Sequence, residues 1–229
     1  MQANIPVIVI RKLVLSWLFL FFVAVHAQEQ EQFFTLPDYK AIMESYFGLS
    51  DSVLRAEIGS FSFVGTMMGK DSVAGLKEFE VDDISLDNVS LLLDDVSVSI
   101  AVSRFKPLEH TLGYVPGEDY LIYIDHKPYW GYDGRIPQRK IDSVVVNYEG
   151  FSAILPPESF SDLFEPNLCR RSGFLFFRGR TTCQTRAFLS ADNNRIYIHM
   201  VNGRYPHYYE VTWIIQNGRY VGRVLDYSH

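Results

Sequence analysis

Cysteine is scarce in this sequence, and its spacing excludes two kinds of site. Only Cys169 and Cys183 occur among the 229 residues, with thirteen residues between them. A thioredoxin-like redox pair has two residues between its cysteines, and a structural zinc site needs four ligands in close sets. Because neither pattern is present, the cysteines predict neither a redox centre nor a zinc site.

Positive charge is also in short supply, which argues against a nucleic-acid partner. The chain has 21 lysines and arginines against 27 aspartates and glutamates, and its formal net charge is −6. Binding to the phosphates of nucleic acids depends on a strongly basic surface. The composition therefore predicts a protein that does not bind nucleic acid.

Short motifs for catalysis and metal binding are missing as well. The sequence contains no G-x-S-x-G nucleophile elbow and no H-E-x-x-H metal motif. The acidic stretch 83–94 matches a calcium loop only in part, because Asn88 stands in place of the glycine and Asp94 in place of the final glutamate. We therefore predict no catalytic residue, no metal site and no cofactor.

What the sequence does contain begins with a signal-peptide pattern over residues 1–27. A basic pair at positions 11 and 12 precedes an apolar run, Leu13–Val25, that is shorter than the roughly 20 residues of a membrane-spanning helix. Val25 and Ala27, at the third and first positions before the cut, are small enough for a cleavage site, so we expect cleavage after Ala27 and a mature chain that starts at Gln28. An uncleaved anchor is the alternative, and the basic pair inside the apolar stretch counts against it.

Cleavage at this point has consequences for location and charge. Removal of residues 1–27 takes away two basic residues and no acid, so the net charge falls from −6 to −8. The mature protein is expected to be secreted or periplasmic, with no membrane span after cleavage.

Export also favours a structural role for the two cysteines. In an oxidising compartment Cys169 and Cys183 most simply form a disulfide, which would restrict the unfolded chain by about 3 kcal/mol. A hairpin turn at Gly179 would place a residue near Leu175 opposite Cys183, so the loop has to fold back for the bond to close. We predict a structural disulfide that is not redox-active.

Hydrophobic periodicity predicts a mainly β fold, with an antiparallel sheet or sandwich behind a short helical segment. The helical segment covers about residues 36–57 and includes a short helix from Ser50 to Glu57, capped by Ser50 or Asp51. From residues 61–65 onward the pattern becomes strand-like, and residues 96–103 alternate between apolar and small polar side chains.

The last part of the sequence predicts a C-terminal three-stranded meander. Asn217-Gly218 between two alternating runs is the strongest hairpin signal in the chain, because a type I′ turn needs positive φ at both central residues. No repeat and no linker divides residues 28–229. We therefore expect one β-rich domain with a helical N-terminal segment.

An aromatic loop is the candidate ligand-binding segment. Aromatic faces flanked by carboxylates and a guanidinium suit sugar rings, whose C–H faces stack while their hydroxyls form hydrogen bonds. The alternative is that the rings cover the end of a sheet. The candidate residues are Asp125, Tyr129, Trp130, Tyr132, Asp133 and Arg135.

Arginines cluster around the two cysteines in an otherwise acidic chain. Such a patch can dock an anionic glycan, a lipid headgroup or an acidic protein. The alternative is that the arginines prevent further strands from adding to hairpin edges. The cluster consists of Arg170, Arg171, Arg178, Arg180 and Arg186.

Together these patterns favour an exported, non-catalytic β-rich protein. We expect it to bind a ligand or partner, such as a glycan or another protein, through aromatic loops or a sheet face. The alternative is a secreted glycan-directed hydrolase that uses Asp125 and Asp133. A hydrolase needs two carboxyl groups that face one cleft, whereas a binder needs no such pair.

Overall fold

Strands dominate the residues that the computed structural model describes, which are 44–68, 75–131, 134–148, 150–172 and 180–228. All of them belong to one compact unit, Lys40–His229. The predicted signal peptide and the first part of the predicted helical segment lie outside the described residues. Among the residues described, no helix is both long enough and apolar enough to cross a bilayer.

The two α-helices are short and come first in the described chain, and two further 3-10 turns, Pro107–Glu109 and Pro157–Ser159, come later. A 3-10 turn, Tyr46–Gly48, precedes α1 (Ser52–Gly59) and α2 (Phe63–Met67). The strands that follow are β1 (Lys77–Glu78), β2 (Glu80–Ile84), β3 (Asn88–Leu93), β4 (Val96–Arg104), β5 (Leu112–Tyr114), β6 (Leu121–Ile124), β7 (Arg139–Tyr148), β8 (Phe151–Ile154), β9 (Arg170–Ser172), β10 (Arg180–Thr182), β11 (Thr185–Leu189), β12 (Arg195–Arg204), β13 (His207–Gln216) and β14 (Arg219–Ser228).

Most of these strands form two five-stranded antiparallel sheets. The middle sheet has the order β2-β3-β4-β7-β8, and the C-terminal sheet has the order β1-β11-β12-β13-β14. The predicted meander is confirmed as β12, β13 and β14. Its last turn is built as expected, because φ is 50° at Asn217 and 73° at Gly218. The pairs β5-β6 and β9-β10 lie outside these two sheets.

The two large sheets pack face to face as a β-sandwich. Val98 and Ile100 of β4 are fully buried, whereas Ser99 between them is partly exposed. Ile198 of β12 and Trp213 of β13 belong to the same buried cluster. These central strands therefore turn alternate side chains into one core between the sheets, which is the arrangement that the period of two predicts.

Of the two predicted capping residues of helix α1, Ser50 and Asp51, the structure has Asp51 as the cap. The Asp51 carboxylate accepts hydrogen bonds from the backbone N–H groups of Val53 at 2.7 Å and Leu54 at 3.1 Å. It thereby satisfies two of the amide groups that a helix start leaves without partners. The helix runs two residues further than the predicted end, to Gly59.

Residues 61–65, which the sequence predicts as part of a strand, instead include the start of helix α2. The side chain of Ser62 caps this helix by accepting from the N–H of Gly65 at 3.1 Å. A side chain at Gly65 would collide with the backbone of Gly59, so the two short helices approach each other more closely than larger residues allow. The strand prediction was wrong because capping and close packing outweigh a short alternating pattern.

Candidate functional site

The outer face of the C-terminal sheet, opposite the sandwich core, has a covered half and an open half. Tyr197 and His199 of β12 are buried there, and the Phe61 ring lies 5.7 Å and 5.5 Å from their rings. Val201 is the next residue of β12 on this face, and it is only half-buried. The helical segment therefore covers one end of the face and leaves the other end open.

The covered half holds a buried polar cluster. The Glu210 carboxylate accepts from the N–H groups of Phe63 at 2.7 Å and Val64 at 3.0 Å, and it lies 3.6 Å from Nε2 of His199. Nδ1 of His199 lies 3.0 Å from the hydroxyl of Thr212. Burial raises the pKa of Glu210, and burial lowers the pKa of His199 to about 3. These groups connect the helices to the sheet.

The open half forms the floor of a cleft of about 470 Å³. Val201, Tyr208 and Ser228 come from β12, β13 and β14, and Tyr208 stands directly opposite Ser228. The remaining lining residues come from the segment before β9, from the β9-β10 pair and from the link between β10 and β11. Among the described residues, the lining consists of Asn167, Leu168, Arg170, Thr182, Gln184, Val201, Tyr208 and Ser228.

The disulfide predicted between Cys169 and Cys183 is confirmed, and it lies beside this cleft. The hairpin register predicted around Gly179 is wrong, because Arg180 pairs with Ser172 and Thr182 pairs with Arg170. The antiparallel register, continued by one residue, brings the two cysteines opposite each other. The loop therefore does not have to fold back across the strand.

The disulfide fixes one wall of the cleft. Leu168 and Arg170 are the chain neighbours of Cys169, and Thr182 and Gln184 are the neighbours of Cys183. All four neighbours line the cleft. Half of the described lining residues are therefore direct sequence neighbours of the disulfide cysteines.

Asn167 anchors the same wall to the edge of β12. Its side-chain amide donates to the carbonyl groups of Val201 at 3.2 Å and Gly203 at 3.1 Å, and its backbone N–H donates to Oδ1 of Asn202 at 2.9 Å. The backbone N–H of Val201 donates to the carbonyl of Gln184 at 2.9 Å. The wall and the floor are therefore hydrogen-bonded directly to each other.

The predicted arginine cluster divides into different environments. Arg186 donates to both carboxylate oxygens of Glu78, at 2.6 Å and 2.8 Å, and lies over the Phe188 ring. The hydrogen bond to Glu78 raises the pKa of Arg186. Arg170 is exposed and lines the cleft. Nothing is described of the side chains of Arg171, Arg178 and Arg180.

Asp125 of the predicted aromatic loop is engaged in local hydrogen bonds. Its carboxylate lies 2.7 Å from Nδ1 of His110 and accepts from the N–H of Thr111 at 2.9 Å. The hydrogen bond with His110 lowers the pKa of Asp125. The His110 ring in turn stacks on Phe105, with ring centroids 4.6 Å apart.

The described aromatic side chains of this loop are half-buried. The Tyr129 hydroxyl donates to the carbonyl of Leu121 at 3.2 Å, and the Trp130 ring lies 4.6 Å from the ring of Tyr227. Arg135 is exposed. Tyr132 and Asp133 lie outside the described residues. The loop thus places its described rings against other side chains of the protein.

Sequence patterns did not identify the cleft residues, with the exception of Arg170. Gln184, Tyr208 and Ser228 belong to no motif, and they meet only because three strands and a hairpin end at the same place. The available signal was the pair of cysteines, whose neighbours are held close wherever the disulfide forms.

Within the described ranges, no group of three or more His, Cys, Asp or Glu side chains is arranged to hold a metal ion. In comparisons with known proteins, the chain matches no family model, no curated protein and no solved structure.

Proposed function

We propose that this is an exported, non-catalytic protein that binds a small polar ligand in the cleft on its C-terminal sheet. One observation carries the proposal: the four chain neighbours of the disulfide cysteines all line the cleft. A covalent bond at that position holds the binding groups in place before the ligand arrives. Such preorganisation reduces the entropy that is lost on binding.

The size and lining of the cleft support a binding role. Its volume of about 470 Å³ is within the range of about 300–1,000 Å³ that small-molecule sites occupy. The amide of Gln184 and the hydroxyls of Thr182 and Ser228 provide hydrogen-bonding groups of both kinds. Val201 adds apolar surface from the floor.

Export is supported by two independent features. A disulfide persists in oxidising compartments, and residues 1–27 have the composition of a secretory signal. We therefore propose a secreted or periplasmic location.

The alternative is a glycan-directed hydrolase that uses Asp125 and Asp133. A glycosidase requires one carboxyl group of raised pKa as its general acid. The hydrogen bond from His110 lowers the pKa of Asp125, which disfavours Asp125 in that role. Binding in the cleft is therefore the better supported function.

A glycan-array screen of the mature protein tests the proposal. Gln184→Ala removes an exposed cleft side chain, and Gln216→Ala removes an exposed glutamine at the opposite end of the same sheet. We expect Gln184→Ala to weaken the wild-type hits by roughly tenfold, and Gln216→Ala to leave them unchanged. No hit at all, or hits that Gln184→Ala retains and Trp130→Ala loses, would contradict the cleft as the site.

A further inference from the structure

We propose that the ligand of the cleft is a carboxylated sugar, bound through its carboxylate by Arg170 and through its hydroxyls by the amides and hydroxyls of the lining. This inference rests on the proposed function and adds the chemical class of the ligand. It is carried by the distribution of charge and polar groups around one cavity.

Arg170 gives the cleft a positive charge in a chain of negative net charge. No aspartate or glutamate is present among the described lining residues, whereas the whole chain has a net charge of −6. A guanidinium offers a planar pair of N–H donors that matches the two oxygens of a carboxylate. Arg170 is paired with Thr182 in the β9-β10 register and both residues line the cleft, so a hydroxyl is available beside the arginine.

The other lining groups suit the remainder of a sugar. Hydroxyl groups of a sugar both donate and accept, and so do the hydroxyls of Thr182, Tyr208 and Ser228. The ring of Tyr208 and the side chain of Val201 provide apolar surface for the C–H face of a pyranose. A simple inorganic anion would contact Arg170 but would make no contact with the apolar floor of the cleft.

β13 and β14 each carry one acidic residue on this sheet face, and both side chains are directed to the helical cover. Glu210 and Asp226 each lie two residues along their strands from Tyr208 and Ser228. Glu210 accepts from two N–H groups of α2, and Asp226 accepts from the N–H of Tyr46 at 2.8 Å. Burial raises the pKa of both carboxyl groups.

Calorimetric titration with digalacturonate and with its dimethyl ester tests this inference, since the two probes differ in charge and share the sugar frame. We expect the wild type to bind the acid at least about tenfold more tightly than the ester, because a hydrogen bond to a charged group is the stronger kind. Added salt should weaken binding of the acid and leave binding of the ester nearly unchanged.

Three variants complete the test. Arg170→Gln should remove the preference for the acid, Arg170→Lys should retain part of it, and Arg219→Gln should leave it intact, because Arg219 is exposed at the other end of β14. Equal binding of acid and ester, unaffected by Arg170→Gln and weakened by Gln184→Ala, would overturn the acidic ligand and leave the cleft as the binding site. The inference is also overturned if the acid does not bind, or if neither Arg170→Gln nor Gln184→Ala changes its binding. In that case the glycan-array result tests the proposed function separately.

Discussion

Arg170 and Thr182 stand directly opposite each other in the β9-β10 pair, and each adjoins one cysteine of the disulfide. Strand pairing and the covalent bond therefore fix the same two positions. A guanidinium and a hydroxyl are held at the wall of the cleft by this arrangement. The disulfide therefore connects the stability of the fold with the proposed binding at the cleft.

Replacement of both cysteines, as Cys169→Ser with Cys183→Ser, is expected to lower the free energy of unfolding by about 3 kcal/mol, because the unfolded chain regains its loop entropy. The same variant should bind the cleft ligand more weakly, since the wall is no longer held. Urea unfolding and calorimetry measure the two effects. Retention of wild-type affinity in a folded double variant would contradict the positioning role of the disulfide. Thiol titration of the unfolded wild type should find no free cysteine.

Asp162→Asn should destabilise the protein strongly. The guanidinium of Arg223 lies 2.6 Å and 2.7 Å from the two carboxylate oxygens of Asp162, and the Arg223 side chain is only 4% exposed. Arg223 also pairs with Glu44 at 2.9 Å, so the substitution leaves one carboxylate beside the buried guanidinium. We therefore expect a loss of about 2 kcal/mol, below the roughly 3–5 kcal/mol for a buried charge left without any partner. Asp142→Asn is the matched control, because its pair with Lys140 is at the surface and should cost less than about 1 kcal/mol. If urea unfolding gives the same decrease in unfolding free energy for both variants, the buried ion pair stabilises the protein no more than the surface pair does.

His199 should make the protein less stable in acid. Its folded-state pKa is lowered to about 3, below the unfolded value near 6.5. The unfolded state therefore binds a proton that the folded state does not. As the pH falls from about 6.5 towards 3, the free energy of unfolding should decrease by up to about 1.4 kcal/mol per pH unit.

A comparison of variants isolates this effect. His199→Gln has no proton to gain and can still form a hydrogen bond with Thr212, so its unfolding free energy should fall less steeply with decreasing pH than that of the wild type. His207→Gln alters an exposed histidine and should retain the wild-type slope. Identical slopes for His199→Gln and the wild type would exclude His199 as the source.

The variant Trp130→Ala distinguishes the aromatic loop from the cleft as the binding surface. The Trp130 ring packs against Tyr227 and Tyr209, so its removal should lower the free energy of unfolding by about 2–3 kcal/mol. Trp130 is not part of the cleft lining, so the affinity for a cleft ligand should not change. Thermal unfolding and calorimetry on the same sample test both statements, and a loss of affinity with unchanged stability would favour the loop as the binding surface.

The amino terminus of exported protein is expected to be Gln28. The pattern of residues 1–27 motivates this prediction, because an apolar run of this length is followed by small residues at the cleavage position. N-terminal sequencing of secreted or periplasmic material gives the answer. Recovery of an intact membrane-bound chain beginning at Met1 would show that the segment is an anchor.

Much of the architecture was predictable because it depends on local patterns. Alternation in residues 96–103 predicts a half-buried strand, and Asn217-Gly218 predicts the turn between β13 and β14. Asp51 caps α1 through atoms only two and three residues away. Such signals require no knowledge of the rest of the fold.

Other features depend on contacts between distant parts of the chain. Helix α2 is held at its start by Glu210, which is 147 residues from Phe63 in sequence, so a short alternating pattern could not predict it. The register of β9 and β10 places Cys183 opposite Cys169, whereas a local turn at Gly179 would not.

The sequence by itself determined the fold class, the meander, the cap of α1 and the partners of the disulfide, since each follows from spacing along the chain. Only the tertiary structure decided that the neighbours of Cys169 and Cys183 meet Tyr208 and Ser228 around a cleft. Side-chain spacing specifies which face of a strand a residue occupies, but not which distant segment covers that face. The packing of the helical segment leaves one end of the C-terminal sheet open, and the cleft lies at that end.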